Sequence, residues 1–292
     1  MLFQQNYQLR TMNPEPRTII EVGHSPDADD AFMFYALTAG KVETGDLEFR
    51  HVLRDIESLN RWAMEGRLPV TALSLHAYAY VADKYALLPH GASMGRQYGP
   101  IVVSRKPLDL DALRRETIAV PGTLTTAFLT LRVCLGEFPY AVLPFEEILE
   151  AVVEGRYGAG VIIHEGQLTY ADHGLVKSLD LGVWWHDQTG LPLPLGVNVV
   201  RRDLGEDRMR QIAHFLQASI QYALAHREEA LGYALEFARG LDQSSTNTFV
   251  GMYVNDLTLA YGVEGRQAVN TLLKWGFERG VLPHQIELHF VE

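Results

Sequence analysis

Short apolar segments alternate with helix-like segments along most of the chain, and this alternation is the feature that most constrains its fold. Residues 18–24, 47–53 and 70–74 have the apolar pattern of strands, and residues 31–37 and 56–64 have that of helices. Parallel neighbouring strands need a connection that crosses over the sheet, and a helix usually supplies it. The alternation therefore predicts an α/β protein with mixed, mostly parallel sheets flanked by helices.

The alternation is interrupted by two extended crossings. After the strand-like residues 101–104, the charged sequence Arg105-Lys106-Pro107 precedes a second series of strands and helices. An extended segment at residues 192–200 returns from that series, and the pattern is helical from Gly205 onward. Two series joined by two crossings predict a hinged clamp in which the late helices cover the first lobe.

The crossings also predict where the lobes begin and end. Lobe one is predicted to comprise residues 18–104 and 197–292, and lobe two residues 105–196. Residues 1–17, which include a polar Asn-Pro-Glu-Pro-Arg segment, are expected to form a disordered extension. Because ligand pockets favour clefts between lobes, we expect polar residues that follow strands of both lobes to meet there.

One apolar segment ends abruptly in residues that can carry chemistry. Residues 158–163 are followed directly by His164 and Glu165. Ligands of open α/β sheets bind outside the carboxyl ends of strands, which makes His164 a candidate base with an ordinary pKa of about 6.5. The alternative is a hydrogen-bonded histidine that closes a loop. Successive strand residues point to opposite faces, so we expect Glu165 to orient the loop more than to pair with the ring.

A candidate anion pocket follows the strand-like residues 117–120. The sequence Pro121-Gly122-Thr123-Leu124-Thr125-Thr126 indicates a turn into a helix, whose free backbone N–H groups attract a carboxylate or phosphate. Thr125 or Thr126 would add a side-chain donor. The alternative is a threonine that only caps the helix. Ser74, at the end of another strand, is a further candidate contact.

The first strand is followed by Ser25 and by the acidic turn Asp27-Ala28-Asp29-Asp30. Ser25 is a candidate ligand contact because it follows a strand end. Asp30, or Asp29, is expected to cap the following helix first and to contact a ligand second. The turn lacks the spacing of a calcium loop, so no metal site is predicted.

Arg96 lies in a glycine-rich loop just before the first crossing. A guanidinium group binds carboxylates through paired hydrogen bonds, so Arg96 is a candidate clamp for a substrate carboxylate. A solvated loop arginine is the alternative.

Composition excludes several classes of function. The formal net charge of −11 opposes the phosphate contacts that dominate nucleic-acid binding. No apolar run of about 18 residues indicates a membrane span, and the amino terminus lacks the apolar core of an export signal, so a cytoplasmic location is expected. The sequence contains no Walker loop, dinucleotide fingerprint, nucleophile elbow or zinc spacing. An enzyme built from this chain is therefore expected to work without a cofactor.

Several segments together are specific enough to indicate a family. They are Ser25-Pro26, Asp30-Ala31-Phe32, Phe34-Tyr35-Ala36-Leu37, Leu59-Asn60-Arg61-Trp62-Ala63, Glu65-Gly66-Arg67-Leu68-Pro69, Ile162-Ile163-His164-Glu165 and Gly190-Leu191-Pro192-Leu193-Pro194-Leu195-Gly196. With them, nearly the whole chain after Arg17 resembles the 1,4-dihydroxy-6-naphthoate synthases of the futalosine route to menaquinone. That family is a cytoplasmic branch of the two-lobed, type II periplasmic-binding-protein-like fold.

The resemblance implies a lyase that converts cyclic de-hypoxanthine futalosine to 1,4-dihydroxy-6-naphthoate. The histidine of the family's Ile-His-Glu segment is proposed as the base that begins this fragmentation, and here it is His164. Ser74, Thr125 and Thr126 are likewise implied ligand contacts. The expected partner is therefore a small anionic substrate, and the pattern specifies no oligomeric state.

The first turn departs from the family. Where the family often has Ser-Pro-Cys-Pro-Asn-Asp-Thr-Phe, this chain has Ser25-Pro26-Asp27-Ala28-Asp29-Asp30-Ala31-Phe32. The added negative charge would weaken binding of an anion unless the carboxylates point away or are paired. Two alternatives stay open: chorismate dehydratase, which shares the fold and the pathway, and a binding protein that holds a small carboxylate without transforming it.

Overall fold

The computed structural model describes residues 17–292, in which the strands form two separate β-sheets. Nearly all of the predicted extension lies outside the described residues. The first sheet has the order β2-β1-β3-β11-β4, with β5 also paired to β11, and the second has the order β10-β6-β9-β7-β8. The strands are β1 (Thr18–His24), β2 (Leu47–Leu53), β3 (Val70–Ser74), β4 (Tyr85–Leu87), β5 (Ser93–Gly95), β6 (Ile101–Ser104), β7 (Ile118–Val120), β8 (Tyr140–Val142), β9 (Ala159–Ile162), β10 (Val176–Asp180) and β11 (Leu193–Arg201).

Helices cover both sheets. They are α1 (Ala28–Thr38), α2 (Ile56–Met64), α3 (Leu75–Tyr78), α4 (Leu110–Leu113), α5 (Thr126–Leu135), α6 (Ile148–Val153), α7 (Gly166–Thr169), α8 (Leu181–Thr189), α9 (Glu206–Ala225), α10 (Arg227–Ala234), α11 (Gln243–Tyr253), α12 (Asp256–Leu259) and α13 (Gly262–Glu278). Among these described helices, none combines the length and apolar character needed to cross a bilayer.

The two sheets are mixed, as predicted, but parallel pairings do not predominate. β1 runs parallel to β2 and β3, and β7 runs parallel to β8 and β9. β6 and β11 run antiparallel to every strand with which they pair. The expectation of mostly parallel sheets was therefore too strong, because the strands that follow the two crossings insert in the opposite direction.

Strand pairing also places the two crossings at other positions than the sequence predicted. The predicted first lobe included residues 101–104, but β6 is hydrogen-bonded between β9 and β10 of the second sheet. β11 begins at Leu193, inside the predicted second lobe, and belongs to the first sheet. Both crossings thus lie a few residues before the predicted boundaries.

The hydrophobic core is shared between the sheets. α9, α10 and α11 pack on α1 over the first sheet, as expected for the late helices, whereas α13 packs against α5 and β11. One buried cluster includes Leu73 of the first sheet, Val120 of the second, Leu129 of α5 and Leu272 of α13. The two sheets are therefore joined by packed helices as well as by the crossings.

Sequence explains the strand that leads to His164. β9 is short and wholly buried, as its apolar composition predicts. A side chain at Gly160 would place its Cβ 2.6 Å from Ile148 Cγ2, so glycine allows α6 to pack closely on this sheet. β9 ends at Ile162, and the next residues leave the sheet toward a cavity.

Candidate active site

A cavity of about 120 Å³ lies where strand ends of both sheets meet. Ser25 follows β1, Ser74 ends β3, Thr125 and Thr126 begin α5, and Ile163 follows β9. Leu73, Leu195 and Phe249 are among the apolar lining residues. The cavity thus combines an apolar surface with a few polar groups, as small-molecule sites do.

The structure brings most of the predicted site residues together. Those that line the cavity are Ser25, Asp30, Ser74, Thr125 and Thr126. His164 and Glu165 do not line it, although the neighbouring Ile163 does. Arg96 does not line it either. We call residues 163–167 the His164 loop, and Ser74, Thr125 and Thr126 the cavity wall.

Ser74 is held by a buried asparagine of α2. Asn60 Nδ2 donates to Ser74 Oγ at 3.0 Å, and Ser74 N donates to Asn60 Oδ1 at 2.9 Å. Because the Ser74 hydroxyl accepts from Asn60, its own proton is left to donate to a ligand. Asn60 lies in a segment that carried the family resemblance, but nothing in the sequence connected it to Ser74.

The two threonines hold the start of α5 in place. Thr125 Oγ1 accepts from Phe128 N at 3.2 Å, which is a helix cap, and donates to Gly122 O at 2.9 Å. Thr126 Oγ1 donates to Leu195 O at 2.6 Å and accepts from His76 N at 3.3 Å. Both hydroxyls are thus occupied within the protein. Any anion at this helix start would therefore be bound by backbone N–H groups.

The turn that precedes the predicted anion pocket places Gly122 against a carboxylate of the protein itself, that of Glu57. A Cβ at Gly122 would lie 2.3 Å from Glu57 Oε2, so glycine is required there for the close approach of α2. Burial raises the pKa of Glu57. Gly122 therefore lies at the contact between α2 and the turn that follows β7.

Each aspartate of the acidic turn has a different environment. Asp27 stands at the N-cap of α1 but makes no capping bond, and instead accepts from Ser25 Oγ at 2.5 Å. Asp30 accepts from Ser25 N at 2.7 Å, and burial followed by the charge of Asp27 raises its pKa to about 7. Burial and then the charge of Asp30 raise the pKa of Asp29 well above its ordinary value. The expectation that Asp29 or Asp30 caps α1 was therefore wrong.

His164 is mostly buried, and both of its ring nitrogens are occupied. Gly166 N donates to Nδ1 at 3.1 Å, which requires that Nδ1 carry a lone pair. The proton of the neutral ring then lies on Nε2, which donates to Phe145 O at 3.3 Å. Burial and the nearby charge of Arg239 lower the pKa of His164. The ring is therefore kept in the neutral form that a base requires.

Glu165 supports the loop that carries His164. Glu165 was expected to point away from His164 because successive strand residues face opposite sides. That expectation does not apply, because β9 ends three residues before Glu165. Its Oε2 lies 3.8 Å from His164 Nδ1 and 3.0 Å from Arg239 Nη1. Burial and the charge of Asp27 raise the pKa of Glu165, while Arg239 opposes that rise. Arg239 has no motif around it that could have indicated this position.

Further polar groups were not identified from the sequence. Asn198 of β11 lines the cavity and donates from Nδ2 to Gly91 O at 2.7 Å, but its buried Oδ1 has no partner within the described residues. Tyr253 also lines the cavity and donates to Gln167 Oε1 at 2.9 Å. A polar residue inside the apolar strand β11 was a signal that could have revealed Asn198.

Arg96 is placed elsewhere. Its guanidinium pairs with Asp256 at 3.0 Å and with Glu264 at 2.8 Å on an exposed surface. The prediction of a carboxylate clamp is therefore corrected, because the cation is already paired away from the cavity. Within residues 17–292, no group of three or more His, Cys, Asp or Glu side chains is arranged to hold a metal ion.

The architecture defines a class of protein. An alkanesulfonate-binding protein from Xanthomonas axonopodis has a TM-score of 0.69 at 12% identity, covering 93% of this chain and 96% of its own. A Candida albicans protein described as having the generic periplasmic binding protein fold has a TM-score of 0.64 at 14% identity, covering 94% and 98%. The chain therefore has the two-lobed periplasmic-binding-protein-like fold.

Closer relatives specify the family. The family model described as menaquinone biosynthesis matches residues 20–278, so the chain belongs to the menaquinone biosynthesis family. It is 45% identical to a 1,4-dihydroxy-6-naphthoate synthase from Thermus thermophilus, over 90% of this chain and 95% of that one. Identity is 36% to the synthase of the same name from Streptomyces coelicolor, with the same coverage. A crystal structure of an Archaeoglobus fulgidus protein has a TM-score of 0.87 at 45% identity, covering 90% of this chain and 98% of its own.

Proposed function

We propose that this protein is a 1,4-dihydroxy-6-naphthoate synthase, a lyase that releases the naphthoate from cyclic de-hypoxanthine futalosine. The observation that carries the proposal is the similarity to two synthases of that name over nearly their whole length. Both of these relatives carry the synthase name, whereas the two proteins with the periplasmic-binding-protein fold are only 12% and 14% identical and share the fold alone. We further propose an anionic substrate, a cytoplasmic location and no cofactor.

The substrate is proposed to bind to the cavity wall and to Asn198. Ser74 would donate its free hydroxyl proton, and the backbone N–H groups at the start of α5 would bind a carboxylate. Asn198 Oδ1 would accept from a substrate hydroxyl. An acceptor buried without a partner costs about 1–3 kcal/mol, so a ligand that satisfies it gains a corresponding advantage.

His164 is proposed as the base. Its neutral ring can accept a proton only at Nδ1, because Nε2 already carries one. Deprotonation of a substrate hydroxyl or an adjacent carbon would begin the fragmentation that releases the naphthoate. For this step, Nδ1 must exchange the N–H of Gly166 for the substrate, which requires a small movement of the His164 loop toward the cavity that Ile163 lines.

Incubation of the purified protein with cyclic de-hypoxanthine futalosine tests the proposal. We expect 1,4-dihydroxy-6-naphthoate to accumulate over many turnovers, as measured by mass spectrometry. A parallel incubation with chorismate should leave chorismate unchanged, whereas its dehydration would support the dehydratase. A tight complex with unchanged cyclic substrate would identify a binding protein and overturn the proposal.

A further inference from the structure

Arg239 joins three elements that are distant in the sequence. Its guanidinium lies 2.6 Å from Asp27 Oδ1 and 3.0 Å from Glu165 Oε2, and its Cζ stands 4.7 Å from the ring centre of Phe145. Asp27 belongs to the turn after β1 of the first sheet, whereas Glu165 follows β9 of the second. The arginine therefore bridges the two sheets at the edge of the cavity.

The backbone at Arg239 is held in an uncommon conformation. Its φ is 48°, and that of Gly240 is 86°, so two successive residues have left-handed or related geometry. A side chain larger than glycine rarely adopts positive φ and does so where surrounding contacts enforce it. At Arg239, the contacts made by the side chain are those with Asp27, Glu165 and Phe145.

Without the guanidinium group of Arg239, the negative charges of Asp27 and Glu165 would have no positive partner between them. Asp27 and Glu165 are both in contact with Arg239, and each raises the pKa of an acidic neighbour. A second bond, from Tyr253 to Gln167, ties the other end of the His164 loop to α11. A third bond joins His164 Nε2 to Phe145 O, and of these three contacts with other elements only that of Arg239 is ionic.

We propose that Arg239 is a positioning residue that fastens the His164 loop to the acidic turn and balances the two carboxylates beside it. This inference rests on the proposed function of His164. It also explains how the chain accommodates the departure at the first turn, because the negative charge of Asp27 is paired.

The charges that face His164 give the inference a specific signature. Glu165 lies 3.8 Å from Nδ1, Asp27 and Glu146 favour the protonated ring, and Arg239 disfavours it. Removing Arg239 should therefore raise the pKa of His164, while removing the charge of Asp27 should lower it. A purely structural role would not move the pKa in opposite directions.

The test compares Arg239→Gln, Arg239→Lys and Asp27→Asn in the full chain. Arg208→Gln is the matched control, because Arg208 pairs with Asp46 at 3.0 Å outside the cavity. NMR titration of the His164 imidazole should show a rise of about one pH unit or more in Arg239→Gln, the usual effect of one neighbouring charge, and a fall in Asp27→Asn. Arg239→Lys should stay near the wild-type value, because it keeps the charge.

The acidic limb of kcat/KM should move in the same directions. Identical titration of His164 in wild type and Arg239→Gln would overturn the inference, and so would a shift of equal size in Arg208→Gln. If Arg239→Gln does not fold, a wild-type titration in Asp27→Asn would overturn it. The titration needs no substrate, so it can be interpreted even if the enzyme assay fails. Wild-type protein that forms no naphthoate would overturn the proposed function, but it would not change the titration result.

Discussion

The cavity wall and the His164 loop both follow strands of the two sheets, yet they are held in different ways. Thr125 is fixed by a bond to Phe128, three residues away, and Ser74 by its buried bonds to Asn60. The His164 loop depends on Arg239, which is 74 residues from Glu165 in the sequence. The wall therefore presents the Ser74 hydroxyl and the N–H groups at the start of α5 to a ligand. In contrast, the one lone pair of the neutral His164 ring, on Nδ1, already accepts a hydrogen bond from Gly166 N. Binding and proton transfer are expected to respond separately to mutation.

The largest expected effect is that of His164→Asn on turnover. We expect this variant to lose about a hundredfold or more in kcat, the usual scale for removal of a general base. Asparagine keeps a hydrogen-bonding side chain at the position, so folding and product binding should be retained. Steady-state assays of naphthoate formation measure the change, and near-wild-type activity would show that the imidazole is structural.

Ser74→Ala should mainly affect binding. It removes the hydroxyl that accepts from Asn60 and can donate to the ligand, and one such hydrogen bond corresponds to about a tenfold loss of affinity. KM should rise by about that factor while kcat changes little. Arg208→Gln is a control that should leave both constants unchanged. A loss confined to kcat would place Ser74 with the His164 loop and break the comparison.

Asp29→Asn should change the pH dependence of binding. Because its pKa is raised, the Asp29 carboxyl stays protonated to a higher pH than an ordinary carboxyl does, and a further rise in pH would ionise it beside an anionic ligand. Product affinity should therefore fall severalfold as the wild-type protein is made alkaline and should fall less in Asp29→Asn. Parallel pH profiles of the dissociation constant for the two proteins would contradict this account.

The same carboxyls link stability to pH. A carboxyl whose pKa is higher in the folded protein favours folding below its unfolded pKa of about 4, and that contribution is lost as pH rises through the folded value. For Asp30 the folded value is about 7. Asp30→Asn should show a smaller loss of unfolding free energy than wild type over this rise in pH, as measured by urea denaturation.

The smallest expected effect is that of Thr125→Ala. Losing the cap of α5 should lower the free energy of unfolding by about 1 kcal/mol. Thr125→Ser keeps the oxygen and should recover most of this loss. Urea unfolding of the three proteins provides the measurement, and an unchanged midpoint in Thr125→Ala would show that the cap contributes nothing to the wall.

The residues of the cavity could be predicted from the sequence better than those that hold the His164 loop. Ser74, at a strand end, and Thr126, at the helix start that follows a strand, could be proposed from the sequence because alternating apolar segments place them at one edge of each sheet. Arg239 and Asn60 were not, because their roles depend on contacts between distant segments. Arg96 was misplaced for the same reason, since its partners Asp256 and Glu264 lie on helices far along the chain.

The orientation of the crossing strands also could not be predicted. Apolar patterning gives the existence of β6 and β11, but their antiparallel pairing depends on which neighbours the chain reaches after each crossing. The same patterning placed β3 and α2 at their observed bounds, because local periodicity alone defines them.

Calorimetric titration of 1,4-dihydroxy-6-naphthoate into wild type, His164→Asn and Ser74→Ala most directly tests the central claim that the wall binds and the loop performs the chemistry. The account predicts that His164→Asn binds the product within about twofold of wild type and that Ser74→Ala binds about tenfold more weakly. Loss of product binding in His164→Asn, together with wild-type affinity in Ser74→Ala, would contradict it.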